Sequence, residues 1–397
     1  MKIVHFVNDD KFVDKAISIF DSIVNVENSY ILVRDKSNES LRYIKRVERV
    51  DIVQRTNLNK NDFNKYDVVV LHGWAVLPNC VIKVIPFKVK VVWFAWGYDI
   101  YSNKWPEYKL IPLVERIKPL TKEFYKSFDW YSFVKGVVRH PFVFFNNLLF
   151  GRIDFERALK RVDYFSGVLP IEYEMIKRSN SLFQAQQIYF SYSSCDMILE
   201  DKLNDNIGPT NNYIQVGNSA SVYSNHLDIF DMLLEYNLAD RKILVPLSYG
   251  GDDRYVNEII KIGKKYWLTD FIPVLDYMPI HEYRSLIKQC EVAIFGDEQQ
   301  ASVGNILIAL WSGARVFLSK TSMCYSYFKK IGCILFSIQD DLKDQMENGR
   351  KLSKVDILSN RRILLRYRSR DVIMNNLYKS IALIKTDIEN GKSKESN

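Results

Sequence analysis

The chain has 397 residues, 47% hydrophobic and 26% charged, an ordinary globular balance whose length points to two domains, each able to bury its own core. Lysine and arginine outnumber aspartate and glutamate 55 to 47, and a net charge of +8 suits an anionic ligand, an anionic surface or nucleic acid without choosing among them. Cys80, Cys195, Cys290, Cys324 and Cys333 form no CxxC pair and have no histidine at metal-ligand spacing, which argues against a zinc site or a disulfide framework and for buried thiols in a reducing cytoplasm.

The N-terminus, MKIVHFVNDD, turns acidic too early for a signal peptide, and no apolar run reaches the roughly 18 residues of a membrane span. Short apolar runs then alternate with helical patterns. In the first half, strands are expected at Lys2–Val7, Tyr30–Val33, Asp51–Gln54, Asp67–Leu71, Val89–Ala95 and Tyr164–Val168. Several are apolar on both faces, as in parallel strands covered by helices on each side. A polar stretch at 193–212 carries Gly208-Pro209 and reads as an interdomain linker. The second half repeats the scheme, with strands at Tyr213–Val216, Lys242–Pro246, Phe271–Val274, Val292–Phe295, Arg315–Leu318 and Cys333–Phe336. Leu227, Phe230, Leu233 and Leu234 line one helical face, and Ile280, Tyr283, Ile287 and Cys290 another. Residues 359–388 read as one or two long basic helices and the final seven as a disordered tail. This rhythm predicts an α/β chain with a doubly wound sheet in each half. The expected divisions are 1–205, 206–365 and 366–397.

Residues 102–161 break the rhythm. They hold 12 Lys/Arg against 6 Asp/Glu, a net of +6, and ten aromatics fall between Phe124 and Phe150. Cations interleaved with rings suit a segment lying at an anionic membrane surface. A helical insertion packed on the first domain is the alternative.

Ligands of open α/β sheets bind beyond the carboxyl ends of the strands, and four such ends carry unusual residues. At Leu71-His72-Gly73-Trp74, the imidazole of His72 suits proton transfer, although an incidental turn histidine fits equally. In Trp93-Phe94-Ala95-Trp96-Gly97-Tyr98-Asp99, the carboxylate of Asp99 can act as a general base or hold sugar hydroxyls; a helix N-cap is the competing role. Val216-Gly217-Asn218-Ser219 is a strand, small turn and helix start, a geometry that takes a diphosphate on backbone N–H groups. A similar turn carries Tyr249 and Gly250. The fourth end carries Glu298, Gln299 and Gln300, whose acid and amide groups suit sugar and ribose hydroxyls, and then Gly304 and Asn305, which open an apolar helix. A solvated loop is the alternative. The sequence contains no P-loop, HExxH, GxSxG or EF-hand pattern, and no DxD stands at a strand end. Catalysis without a metal or other cofactor is therefore expected, with backbone donors, a helix dipole and a Lys or Arg as candidates to stabilise a diphosphate leaving group.

At these positions the chain resembles the bacterial 4-acetamido-4,6-dideoxygalactose (Fuc4NAc) transferases of glycosyltransferase family 56. The resemblance is carried by HGW at 72–74, WFAWGYDIY at 93–101, VGNSASVYSNH at 216–226, ILVPLSYGGDDRYVNEI at 243–259 and YRSLIKQCEVAIFGDEQQASVGNILIALWSGARV at 283–316. Residues 118–152 and those between Phe295 and Gln299 depart from the family pattern. The resemblance implies a GT-B fold, with two Rossmann-like domains facing a cleft and a last helix crossing back to the first. It implies a TDP-Fuc4NAc donor and a polyprenyl-diphosphate-linked saccharide acceptor at the inner face of the cytoplasmic membrane. Carried over, Gly217, Asn218 and Ser219 would meet the donor phosphates. Tyr249 and Gly250 would flank base or ribose, Glu298, Gln299, Gln300, Gly304 and Asn305 would complete the donor site, and His72 and Asp99 would face the acceptor. Direct transfer follows, with Asp99 first and His72 second as proton acceptor. The rival readings are a nucleotide-sugar epimerase of the same fold and a non-catalytic subunit that binds membrane or a partner; nucleic-acid binding is the weakest.

Overall fold

A computed structural model describes residues 1–34, 40–58, 60–101, 116–125, 151–192, 194–199, 203–204, 207–238 and 240–395. The chain divides into two compact units: Met1–Pro112, Val137–Ser193 and Asp371–Asn397 form unit 1, and Leu113–Gly136 with Ser194–Arg370 form unit 2.

Among the described residues, the sheet of unit 1 has seven strands: β1 (Lys2–Val7), β2 (Glu27–Arg34), β3 (Val50–Gln54), β4 (Val68–His72), β5 (Lys90–Phe94), β6 (Tyr164–Ser166) and β7 (Gln186–Gln187). Their order is β3-β2-β1-β4-β5-β6-β7, and every pairing is parallel. All five residues of β4 and four of five in β5 are buried, which explains why these strands read as unbroken apolar runs. The helix α1 (Val13–Phe20) turns Ile17 and Phe20 onto this core, and α2 (Gly97–Tyr101) and α3 (Ile171–Ser179) follow β5 and β6. The two-residue β7 was not expected, because two glutamines carry no apolar pattern.

Unit 2 holds β8 (Tyr213–Val216), β9 (Ile243–Pro246), β10 (Phe271–Val274), β11 (Cys290–Phe295), β12 (Arg315–Leu318) and β13 (Phe336–Ser337). They form a parallel sheet of order β10-β9-β8-β11-β12-β13. Its core gathers Ile214, Val216, Phe230, Leu233, Val245, Tyr255, Val292 and Phe317. In each sheet the winding direction reverses at one place, between β1 and β4 in unit 1 and between β8 and β11 in unit 2, and open α/β sheets bind ligands beyond the strand ends at such a place.

Several expectations shift. Strand β13 begins where the expected Cys333–Phe336 ends, because Cys333 and Leu335 are buried ahead of the strand rather than within it. Leu234 lies beyond the end of its helix and is 41% exposed. Part of the expected linker folds: α4 (Cys195–Leu199) buries Cys195 and Leu199 in unit 2, and the Cys195 thiol meets Leu364 O. Cys195, Cys290, Cys324 and Cys333 are buried outside any disulfide among the described residues, whereas Cys80 is exposed. The C-terminal stretch forms two helices, α8 (Lys354–Arg368) and α9 (Arg370–Glu395), once α5 (His226–Leu233), α6 (Asp253–Trp267) and α7 (Val303–Ser312) are counted before them. Helix α9 runs through most of the tail expected to be disordered and buries Leu377, Ile384 and Ile388 in the core of unit 1. Of the basic aromatic segment, 102–115 and 126–150 lie outside the described residues. Residues 116–125 are described and belong to unit 2. Among the described residues no helix is long and apolar enough to cross a membrane.

Candidate functional site

The carboxyl edge of unit 1 carries His72 and Asp99. His72, the last residue of β4, is 1% exposed and sits in a chain of hydrogen bonds. Asn28 Nδ2 donates to Phe20 O, so Asn28 Oδ1 accepts from His5 Nε2 at 3.1 Å. His5 Nδ1 must then accept, from His72 Nε2 at 2.9 Å, and His72 Nδ1 accepts from the Tyr192 hydroxyl at 2.9 Å. The Tyr192 oxygen in turn accepts from Trp96 Nε1 at 2.8 Å. Both rings are neutral in this arrangement. Burial, and then the neighbouring His5, hold His72 well below the usual histidine range, and burial lowers His5 to about 4. With both nitrogens engaged, His72 is built to fix the Tyr192 and Trp96 side chains rather than to pick up a proton.

Asp99 stands in the first turn of α2. Its Oδ2 accepts from the backbone N–H of Trp96 at 2.8 Å and from Trp93 Nε1 at 3.3 Å, so it closes the start of the helix. A second buried carboxyl lies near it. Glu172 accepts from Leu169 N at 2.8 Å and from the Tyr101 hydroxyl at 3.3 Å, and burial pushes it up to about 7, with Asp99 adding to the rise. No sequence signal marks Glu172, because its burial depends on α3 packing under the end of β6.

In unit 2 the predicted donor residues converge on three loops that follow neighbouring strands. After β8, Gly217 has φ +68°, where a side chain is strained, and a Cβ there would lie 2.6 Å from His226 Nε2. The fully buried His226 opens α5 and is held neutral, lowered by burial to about 3. Asn218 Nδ2 donates to the Tyr249 hydroxyl at 3.0 Å, and Ala220 N donates to Tyr249 O at 2.8 Å. Gly250 has φ +88°, and a Cβ on it would meet Ser219 Oγ at 3.3 Å. The turn after β9 therefore backs directly onto the turn after β8, which brings Gly217, Asn218, Ser219, Tyr249 and Gly250 together.

The loop after β11 holds the rest. Asp297 accepts from Ser302 Oγ at 3.0 Å, and burial pushes it up to about 7. Glu298 is 4% exposed and accepts from Ser319 Oγ at 2.7 Å and Thr321 Oγ1 at 2.5 Å, so it binds the end of β12 rather than standing open to a ligand. Gln299 and Gln300 are buried. Ser302 adopts φ +62° and makes no side-chain cap, which leaves the N–H groups at the start of α7 without that partner. A Cβ on Gly304 would meet nothing within 4 Å. Asn305 Oδ1 accepts from the Tyr283 hydroxyl and, at 3.4 Å, from Gln215 Nε2. Three buried atoms around these loops, Gln215 Oε1, His226 Nε2 and Gln300 Oε1, have no hydrogen-bond partner among the described residues.

Sequence reasoning missed Arg116 and Lys118. Lys118 Nζ lies 2.7 Å from Glu298 Oε1. Arg116 hydrogen-bonds Gln299 Oε1, and its guanidinium lies 4.3 Å from the centre of the Tyr223 ring. They lie more than a hundred residues before the loops they meet, and only their membership of a basic stretch could have drawn attention to them.

Comparison with known proteins agrees with this architecture. A glycosyltransferase from Rickettsia africae is 11% identical, with a TM-score of 0.61 and 98% of each chain covered. HepE of Anabaena, in complex with UDP and glucose, is 12% identical with a TM-score of 0.61 over 96% of this chain and 99% of that one. The lipopolysaccharide outer core galactosyltransferase WaaB is 10% identical with a TM-score of 0.57 over 96% of this chain and 99% of that one. These likenesses are of fold. Residues 158–362, which run from ahead of β6 through β13 and most of α8, match the family described as 4-alpha-L-fucosyltransferase, glycosyl transferase group 56. A doubly wound fold in two units, a loop cluster at the switch point of the second sheet and this match together place the chain in glycosyl transferase group 56, as a glycosyltransferase of GT-B fold.

Proposed function

We propose that the protein transfers a deoxy-acetamido sugar of the Fuc4NAc type from a TDP-sugar to a polyprenyl-diphosphate-linked saccharide at the inner membrane face, without a metal ion. The observation that carries the donor half is the set of unsatisfied polar groups at the switch point of unit 2. Among the described residues, Gln215 Oε1, His226 Nε2 and Gln300 Oε1 lack partners beside the left-handed Gly217 turn and the start of α7, which has no side-chain cap. Buried polar atoms without partners are costly. The two amide oxygens here call for hydroxyl or N–H donors, as a sugar or ribose supplies, and the helix start without a side-chain cap suits an anion. The Gly217–Ser219 turn and the start of α7 hold the diphosphate, Tyr249 and Gly250 border the nucleoside, and Gln299, Gln300 and Asn305 meet the sugar.

In the reaction, the acceptor hydroxyl oxygen bonds to the anomeric carbon as the bond from that carbon to the β-phosphate oxygen breaks. The electron pair stays on the phosphate, and the hydroxyl proton passes to a base, for which Asp99 is the candidate. His72 has a positioning role, holding Tyr192 and Trp96. The acceptor half is supported by the family and by the basic aromatic composition of 102–161. Calorimetric titration with TDP, UDP and GDP, with magnesium and with EDTA, tests the reading. TDP binding that survives EDTA and is lost in Gln299→Ala/Gln300→Ala is expected. Preference for UDP or GDP discards the TDP-sugar, and binding of none of the three discards the donor site.

A further inference from the structure

We infer that Lys118 and Arg116, supplied by a segment far upstream in the chain, are the cations that hold the donor diphosphate on unit 2; this rests on the nucleotide-sugar reading above. The segment is fixed before its side chains act. Asn225, fully buried, accepts from Lys118 N at 2.8 Å and donates to Arg116 O at 3.2 Å and to Gly296 O at 2.8 Å. Asn225 thus ties the upstream segment to the loop that follows β11. Asp228, 7% exposed, accepts from Leu120 N at 2.9 Å, Thr121 N at 3.0 Å and Thr121 Oγ1 at 2.7 Å, which caps the helical turn at 119–125. The two cations therefore sit on a segment held by five hydrogen bonds to buried groups, four of them through its backbone.

The side chains are placed with equal care. Ser319 and Thr321 hold the Glu298 carboxylate, and it holds the Lys118 ammonium. Arg116 lies over the Tyr223 ring and bonds Gln299, the neighbour of Glu298. Asn225 and His226 are consecutive, and His226 Nε2 stands under the Gly217 turn, so the residue that anchors the segment adjoins the one beneath that turn. The start of α7 follows on the same loop as Glu298 and Gln299 and adds the positive end of its dipole. Cations preorganised and partly shielded from water in this way gain most as the departing diphosphate takes up a further negative charge.

A clamp that merely fixes the segment to unit 2 would use the same ion pair, and the experiment separates the two. Calorimetry compares TDP with TMP, and UDP with UMP, on the full chain, its Lys118→Met and Arg116→Met variants, and the conservative Arg116→Lys. Loss of a charge-assisted contact to the β-phosphate is expected to weaken the diphosphate by about tenfold or more and the monophosphate by less than about threefold. Arg116→Lys is expected to recover part of the loss. Equal effects on mono- and diphosphate, or unchanged affinity with a lowered thermal midpoint, overturn the inference and make the pair a clamp. A wild-type chain that binds neither diphosphate overturns the nucleotide-sugar reading along with it. Lys118 is partly exposed, so Lys118→Met decides the matter by itself if Arg116→Met does not fold.

Discussion

His5 and His72 illustrate what burial does to a titratable side chain. The Asn28–His5–His72–Tyr192–Trp96 chain satisfies both rings only in the neutral form, and a proton added to either would set two donors against each other. In the unfolded chain each ring titrates near 6.5, so the unfolded state takes up protons that the fold refuses. The pair's contribution to stability is therefore fully present above about pH 6.5 and is lost as pH falls from there toward about 4. Glu172 and Asp297 act in the opposite sense. Both are pushed up to about 7, so their contribution is full at low pH and fades as pH rises toward that value. Imidazole nitrogen NMR isolates the histidines from this opposition. The His5 and His72 signals are expected to keep neutral values from about pH 7.5 down to about pH 5, whereas an ordinary midpoint near 6.5 for either would mean that water reaches the ring.

Among the elements, α7 offers the sharpest test of the donor site. It is buried along nearly its whole length, yet it starts without a side-chain cap. Gly304, in its first turn, has open space where a side chain would go. A glutamate there fits sterically, interacts favourably with the helix dipole and raises helix propensity. On its own that substitution stabilises by about 0.3–1 kcal/mol. If a diphosphate binds at this helix start, the added carboxylate also repels it. Gly304→Glu is therefore expected to leave thermal stability equal or higher while TDP affinity falls by about tenfold or more. A parallel loss of both, measured by calorimetry and thermal denaturation, would mean that Gly304 is needed for packing instead.

At the scale of the whole molecule, the chain returns to unit 1 through α9. Leu377, Ile384 and Ile388 enter the same core as Ile3, Phe20 and Val92. Asp387 accepts from the Tyr164 hydroxyl at 2.7 Å and pairs with Lys90 at 2.7 Å. Helix α9 thus closes over the core that β1, α1 and β5 form. Leu377→Ala and Ile384→Ala are each expected to cost about 2–5 kcal/mol. Amide hydrogen exchange gives the discriminating readout. Protection should fall in β1, β4 and β5 and hold in β8, β11 and β12, and a loss spread evenly over both sheets would contradict the division into units.

The sequence by itself determined the strands, the parallel winding of each half and the loops that carry the candidate donor residues. These are local matters: apolar runs such as VVVL at 68–71 and VAIF at 292–295 read as buried strands, and small polar residues directly after them read as turns. It left β7 unseen, since Gln186 and Gln187 owe their place to pairing with β6. Tertiary structure alone decided that His72 is locked between His5 and Tyr192. It alone decided that Glu298 is bound by Ser319 and Thr321, and that 116–125 belongs with β8 and β11 rather than with the strands preceding it. The physical reason is shared. Each of these depends on desolvation or on a hydrogen-bond partner from 21 to 120 residues away, and no short window of sequence contains both ends of such a contact.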